Sequence, residues 1–578
     1  MTSTLTSIPR EVKKADILLI YPDFAKNSLG TASYPENHLG LNRLATYLDA
    51  KGYSVKILNT TGLPEGTGGP EMLAQYLKEN RDEFNVLGFH LNSWNISHVV
   101  KTLSLVSKKF KDRLILFGGP LPTSEPQKVL ELFKSIGFTN LGLVQGYGEL
   151  VLEKIMQEPE KIAQVKGVWS IRDKKITEGE LQRLSSDQMS ELPFLNPKYN
   201  TFYQLWYKPF MEEQSRSPHS IDTIFTAQGL DVNHGCPFNC SYCSVHVFGR
   251  EISEISPGRA VDELEKLARE TGFFMFTYTN SNLMFVRRDW IIEFCNLILE
   301  RKMDHYVCWS AYHHPHTLNL LTEEDFKLIK RAGCDQIVMG IQSVDPEVLK
   351  LFNRNPLTGG LFKKLREKIQ NAGLEVVIDY IRGVPGENLD IVEEFYDYCV
   401  EHKIEMREYL LKIYPNTDIQ NKNIDFTGYE LIPVTGNLAP ELDSYAVVPK
   451  ENNPRNQLLS KKINDSNLQI QKNRKIRFGN RYLQSSEQAA ELKDQIIPSD
   501  THIPEKVKTA MIKMLKVMLS PAENEKPKNL QNPAQMMKAL VMADESAPPM
   551  VKEMQKRLIR ELGREKFELL KKKYRSES

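Results

Sequence analysis

The chain has 578 residues, 41% of them apolar and 26% charged, and Lys+Arg 75 against Asp+Glu 74 leaves a formal charge of +1. This composition excludes a disordered chain, which would lack the apolar surface to offset its entropy, and it supplies no general attraction for nucleic acid or anionic lipid. Seven cysteines is a low, odd number for this length, which argues against a disulfide framework and for a reduced, cytoplasmic setting.

At roughly 150 residues per domain the length accommodates three or four domains. The opening MTSTLTSIPREVKKAD lacks the apolar core of a secretory signal. The longest apolar runs, such as Ile17–Tyr21, fall far short of the about 20 residues needed to span a bilayer.

Ile17–Tyr21 is a continuous apolar run, the pattern of a parallel strand covered on both faces. Helical spacing follows over Leu41–Lys51, then a strand at Val55–Leu58, a helix at Met72–Lys78 and a third strand at Val86–His90. Strands at Leu114–Phe117 and Leu143–Gln145 complete an alternation that predicts a Rossmann-like, doubly wound parallel sheet. In such sheets ligands bind beyond the carboxyl ends of the strands. Gly118, Gly119, Pro122 and Thr123 stand at one such end, and Gly146, Gly148 and Glu149 at the next. Glycine there permits close approach of the backbone to a bulky ligand, or simply a tight turn. A nucleotide site is not indicated, because G-x-G-x-x-G is missing after the first strand and G-x-x-x-x-G-K-[ST] is missing throughout.

The strongest chemical signal is DVNHGCPFNCSYCSVHVFGR, with Cys236, Cys240 and Cys243 in a CxxxCxxC spacing and Tyr242 before the last cysteine. Three thiolates on one short loop can hold three irons of a [4Fe–4S] cluster and leave the fourth for another ligand. Structural zinc is the alternative, with His234 and His246 nearby, but a second knuckle is missing. Cys295, Cys308, Cys334 and Cys399 lie in apolar stretches and read as buried thiols. Beyond the loop come a helix at Pro257–Glu270, a strand at Phe273–Phe276, a helix at Asp289–Arg301 and a strand at Tyr306–Ser310. A helix at Thr322–Ala332, with Thr322 as its cap, precedes a strand at Gln336–Gly340 and a helix at Leu361–Ala372. Strands at Glu375–Ile381 and Glu405–Ile413 close the series. Six strand–helix units predict a partial (β/α)6 barrel whose strand tops face one cavity. His313, His314 and His316 follow a strand end and are candidates for acid–base work or for a hydrogen-bonded cluster.

The motif Cys236-Pro-Phe-Asn-Cys240-Ser-Tyr242-Cys243 resembles the signature of the radical S-adenosylmethionine (SAM) enzymes. The N-terminal sheet, through Ser28–Gly30, His38–Leu41, Gly118–Thr123 and Gly146–Glu149, resembles the cobalamin-binding domain of the cobalamin-dependent class. The resemblance spans about residues 13–418. It implies a [4Fe–4S] cluster on Cys236, Cys240 and Cys243, with SAM on the open iron. It implies SAM contacts at Tyr242, Asn280, Asn282, Gln342, Ser343, Gly383, Val384, Pro385, Ile413 and Tyr414. Cobalamin would lie against Ser93, Trp94, Gly118, Gly119, Pro122, Thr123, Gly146, Gly148 and Glu149. Tyr278 joins His313 and His314 as a candidate catalytic group. Three departures stand out. Glu251–Ile255, where relatives often carry Arg, has none, the strand-two end, often acidic, carries Asn280 and Asn282, and the absence of D-x-H-x-x-G leaves no histidine marked as lower cobalt ligand.

The expected domains are 13–175 (cobalamin-binding), 176–220 (linker), 221–418 (radical SAM core) and 419–578, an α-rich region that caps the core and selects the substrate. In the last, Val507, Met511, Met514 and Met518 keep helical spacing, Pro521–Pro533 reads as a linker, and Val551–Arg575 as a charged helix. The resemblance implies a C-methyltransferase of specialised metabolism. SAM cleavage would give a 5′-deoxyadenosyl radical, that radical would take hydrogen from an unactivated carbon, and methylcobalamin would deliver the methyl group. Rearrangement or cyclisation without net methylation, and a non-catalytic cobalamin and iron–sulfur sensor, are the alternatives. The expected partners are a small-molecule or peptide substrate and an external flavodoxin- or ferredoxin-type electron donor. Nucleic acid and membrane are not expected, and the chain is expected to be a monomer.

Overall fold

The structure is a computed structural model. It describes residues 15–22, 38–60, 69–172, 175–201, 203–212, 229–278, 287–357, 360–434, 438–450, 454–472, 476–478, 481–483, 502–519 and 541–542, with a few positions between 559 and 572. The chain is mixed α/β and carries two large sheets, one parallel with an antiparallel edge and one parallel throughout.

The first sheet holds β1 (Ala15–Tyr21), β2 (Val55–Asn59), β3 (Phe84–His90), β4 (Ile115–Gly118), β5 (Leu141–Val144), β6 (Val168–Arg172) and β7 (Lys175–Thr177), in the order β2-β1-β3-β4-β5-β6-β7. The five expected strands are its parallel part, and β6 and β7 add an antiparallel edge. That edge escaped sequence reading because Val168–Arg172 is too short to distinguish alternation from chance. β1 shows why its run is unbroken. Ile17, Leu19 and Tyr21 enter one core, and Ala15, Leu18 and Ile20 enter the other. Helix 39–50 crosses one face, and the strand order reverses beside β1, between β2 and β3.

The second sheet is β10 (Met275–Tyr278), β11 (Cys308–His313), β12 (Cys334–Gln342), β13 (Glu375–Arg382) and β14 (Glu405–Leu410), all parallel and in that order. Six strands were expected. The segment before the cysteine loop forms only β8 (Asn233–His234), which pairs antiparallel with β9 (Ser253–Glu254) outside this sheet. The expected strand to Ile413 breaks at Leu411. β15 (Lys412–Ile413) leaves to pair with β17 (Tyr445–Pro449), which also pairs with β16 (Tyr429–Pro433).

Helix boundaries follow their caps. Ser256 accepts the Arg259 N–H at 3.2 Å to start helix 257–271, and Gly272 at φ +80° ends it. Thr322 and Asp325 form a reciprocal capping box at 2.8 and 3.2 Å. The C-terminal region is not uniformly α-rich: it holds β16 and β17 as well as helices 454–472 and 505–519. Helix 454–472 covers the edge of the second sheet, where the Asn467 side chain both accepts from and donates to the Met406 backbone (3.1 and 2.7 Å). An edge strand otherwise offers these groups to other chains. Val507, Ala510 and Met511 are buried. The side chains of Met514 and Met518, the stretch 521–533 and most of 551–575 lie outside the described residues. Among the described residues no helix is long and apolar enough to cross a membrane.

Candidate active site

The carboxyl edges of the two sheets meet. The Trp94 ring, in the loop after β3, stands 6.0 Å from the Tyr414 ring just beyond β15, and Lys412 Nζ lies 4.9 Å over Trp94. Asn416 Nδ2 donates to Ser124 O at 3.0 Å, and helix 120–124 packs on the turn at 245–248 after the cysteines. Asn92 and Asn95 brace the Trp94 loop through bonds to Trp94 N (2.9 Å) and His90 O (3.1 Å). Ser93 is buried beside it.

Cys236, Cys240 and Cys243 are free and half-buried, whereas Cys295, Cys308, Cys334 and Cys399 are buried as expected. Burial pushes the Cys236 thiol up and the Cys243 thiol up to about 12, so these thiolates need a positive partner to form. Val245 N donates to Cys243 Sγ at 3.5 Å. Arg354 Nη1 lies 3.3 Å from both Cys240 Sγ and the Tyr242 hydroxyl, and Nη2 donates to Gly340 O at 2.5 Å. Sequence reading missed Arg354, which lies 114 positions from Cys240 and gives no local signal. It puts a guanidinium beside the loop from a place other than the Glu251–Ile255 stretch. The segment before it holds the loop: Ser241 bonds the carbonyls of Leu351 (2.7 Å) and Phe352 (3.0 Å), and Tyr242 meets Phe352 edge-on at 4.7 Å. Among the described residues no three His, Cys, Asp or Glu side chains are arranged to hold a single metal ion. Free thiols with N–H donors aimed at their sulfurs fit an iron–sulfur cluster.

His314 stacks on Phe238 at 3.9 Å, between the first two cysteines, and its Nδ1 accepts the His316 N–H at 3.2 Å. Burial, then Arg354, pushes its pKa down to about 3. The neutral imidazole is thereby favoured over the imidazolium. His313 is buried deeper. The Tyr278 side chain, Asn280 and Asn282 lie outside the described residues, as does Ser28–Gly30. Gln342 ends β12 at φ +69°, a strained value for a non-glycine. Ser343 Oγ accepts the Asp345 N–H at 3.2 Å and so serves the local cap. Gly383 adopts φ +68° and its N–H meets Glu387, whose carboxyl burial pushes up to about 7. Val384 and Ile413 lie in a small core with Val447, so their side chains pack inward. Pro385 follows in the same turn, and burial pushes the Tyr414 hydroxyl up.

The glycines divide. At Gly118 an added Cβ would meet nothing within 4 Å, so open space lies past β4. At Gly119 (φ +106°) it would stand 2.7 Å from the His90 ring and Leu91 O, and at Gly146 (φ +92°) 2.2 Å from Gln182 O. Gly148 faces Leu44 at 3.3 Å. Thr123 ties the loops together, accepting Gly146 N–H at 3.0 Å and donating to Gly119 O at 2.8 Å, and Pro122 is buried. The open space at Gly118 leaves room for a ligand at this edge, whereas Gly146, Gly148 and Thr123 shape the fold around it. Gly119→Ala is expected to destabilise by about 1–3 kcal/mol from backbone strain. Gly118→Ala should leave the urea midpoint unchanged and weaken cobalamin retention on gel filtration.

Glu149 is not at an open edge. It is buried, and burial raises its pKa against the pull of His234 and Arg43. Arg43, on helix 39–50, lies 3.3 Å from Glu263 of helix 257–271 and 3.7 Å from Asp231, and donates to Pro193 O at 2.9 Å. Asp231 in turn holds His234 at 3.2 Å, and Tyr147 stacks on His234 at 3.7 Å. The GYGE segment therefore braces the base of the cysteine loop.

Two histidines, His38 of the His38–Leu41 motif and His90 at the end of β3, face each other past β1 and β3. His38 Nε2 and His90 Nε2 stand 3.3 Å apart beside Tyr21. His38 Nδ1 accepts the Leu41 N–H at 3.1 Å, so Nε2 carries the proton and donates to His90. Burial pushes His38 down to about 4 and His90 well below its usual value. The unfolded chain therefore binds more protons between pH 6.5 and 4, and stability falls as pH falls through that window. The loss is about 1.4 kcal/mol per pH unit per histidine. Urea midpoints at pH 7.5 and 5.5 should show it, and His38→Asn, which keeps an N-cap, should halve it. A flat wild-type profile would contradict the burial.

Residues 230–399 match the model of the Radical SAM superfamily, and residues 28–155 match that of the B12 binding domain. The chain is a cobalamin-dependent radical SAM enzyme. An uncharacterized methyltransferase of Pyrococcus horikoshii is 23% identical to the enzyme over 414 residues, covering 70% of this chain and 82% of the relative. The cobalamin-dependent radical SAM methyltransferase TokK of Streptomyces tokunonensis is 21% identical over 390 residues, covering 63% and 53%. The solved structure of the radical enzyme OxsB, with aqua-cobalamin and SAM bound, superposes with a TM-score of 0.54 at 14% identity, covering 95% of this chain and 75% of that one. The enzyme's cofactors are a [4Fe–4S] cluster, SAM and cobalamin.

Proposed function

We propose that the enzyme methylates an unactivated carbon of a small molecule, in specialised metabolism. The observation that carries this reading is the contact of the two carboxyl edges at Trp94 and Tyr414, with the cysteine loop beside them. When bound, the cluster with SAM supplies hydrogen abstraction from carbon, and cobalamin supplies the methyl group. Cys236, Cys240 and Cys243 would hold the cluster. Arg354 offsets thiolate charge, and Gln342, Ser343, the Gly383–Pro385 turn, Ile413 and Tyr414 would line SAM. Gly118, Gly119, Ser93 and Trp94 would line the corrin, with Trp94 and Tyr414 excluding water between the centres. His314 serves as a stacking residue for the cysteine loop.

The supporting architecture is a cobalamin-binding unit at 13–175, a linker at 176–220, a partial barrel at 221–418 and a substrate-capping region at 419–578. A reduced cytoplasmic setting, a monomer, an external electron donor and no nucleic-acid partner complete the reading. Anaerobically reconstituted protein given cobalamin, reductant and methyl-labelled SAM should release 5′-deoxyadenosine and place label in the product of a cell extract. Release of 5′-deoxyadenosine with unlabelled product would favour rearrangement, and failure to release it would end the radical assignment.

A further inference from the structure

The segment around β15 turns alternate residues to opposite sides. Leu411 and Ile413 pack in the small core with Val447. Strand alternation then aims Lys412 and Tyr414 the other way, and both reach the ring of Trp94 in the loop after β3. Lys412 Nζ stands 4.9 Å over that ring, and the Tyr414 ring lies 6.0 Å from it. The ammonium is therefore held where the carboxyl edges of the two sheets meet. Leu91 N donates to Gly118 O at 2.8 Å, which sets the open end of β4 beside the same loop.

Other buried cations of this region have anionic or sulfur partners. Arg43 meets Glu263 and Asp231, and Arg354 meets Cys240 and acts on the Cys243 thiol. Lys412 differs. Among the described residues its Nζ has no hydrogen-bond or ion-pair partner, and its charge meets only the face of Trp94. Burial pushes its pKa down, the direction for an ammonium taken from water without a counter-charge. An aromatic face offsets only part of that cost. A half-buried ammonium kept without a carboxylate, at the contact of two ligand-binding edges, marks a place for an anion from outside the chain.

We propose that Lys412 binds an oxyanion of the substrate, a carboxylate or a phosphate, so that the substrate is an acid whose charged end lies against Trp94. The inference rests on the methyltransferase reading of this site. It is tested by calorimetric titration of enzyme loaded with iron, cobalamin and SAM, so that the phosphate of one cofactor and the carboxylate of the other are already in place. The probes share one shape: benzoate, phenyl phosphate, benzyl alcohol and benzylamine. At least one of the two anions should bind wild type tenfold or more tighter than the alcohol and the amine. Lys412→Met should remove that preference, and Lys412→Arg should retain it. Lys412→Met should also keep or raise the urea midpoint, since it deletes a desolvated charge and breaks no ion pair. Binding of the anions no tighter than the alcohol, a preference intact in Lys412→Met, or a lowered midpoint overturns the proposal. An anion preference that appears only when cobalamin or SAM is left out assigns the oxyanion to that cofactor and likewise overturns it. If Lys412→Met fails to load its cofactors, the wild-type order decides, and benzylamine ahead of both anions overturns the proposal. Loaded wild type that makes no 5′-deoxyadenosine contradicts the functional reading instead.

Discussion

Cys240→Ala is expected to abolish the cluster while leaving the fold in place. Wild-type protein reconstituted without oxygen should carry about four irons per chain, and the variant close to none. Formation of 5′-deoxyadenosine should fall to background, a loss on the order of 10⁶-fold or more. The fold survives because the loop is held by groups other than the thiol. Arg354 keeps its bonds to Gly340 O and Tyr242, and Ser241 keeps its bonds to Leu351 and Phe352. Far-ultraviolet circular dichroism should match wild type. Cys399→Ala is the control: it removes a buried thiol, costs about 1 kcal/mol and retains iron. A Cys240→Ala protein that binds four irons would show that the ligands lie elsewhere.

Arg43→Met is expected to cost about 3–5 kcal/mol, the range for removing one partner of a buried ion pair. The arginine is 3% exposed and its partner Glu263 2%, so water cannot replace the lost guanidinium. Glu263 also accepts the Leu195 N–H at 2.9 Å, and Asp231 sits five residues before Cys236. The damage should therefore reach the linker and the cysteine loop, seen as a lower urea midpoint and faster proteolysis between residues 184 and 200. Adding Glu263→Met to Arg43→Met should recover much of the loss, because it removes an uncompensated buried charge. A single variant within about 1 kcal/mol of wild type would refute the importance assigned to this junction.

Much of the site was legible where its chemistry is local. The CxxxCxxC loop needs only neighbours in sequence, and the strand runs of the first sheet announce burial on both faces. Arg354 and Lys412 were not legible, since each acquires meaning from a group on another strand or loop. Glu149 was placed at an open edge because GYGE follows a strand, and the fold instead buries it by Arg43 and Asp231. Gly118 and Gly119 look alike in sequence, yet one borders open space and the other a histidine ring.

The sequence by itself determined the three thiols suited to a cluster and the succession of strands, because ligand spacing and hydrophobic period are properties of a short stretch of chain, while SAM and cobalamin entered through the family that its motifs resemble. Only the tertiary structure decided which charges share a buried junction, which glycine borders open space, and which lysine stands over Trp94 where the two sheets meet. Those depend on groups brought together across a hundred residues or more, where burial strengthens every unbalanced charge.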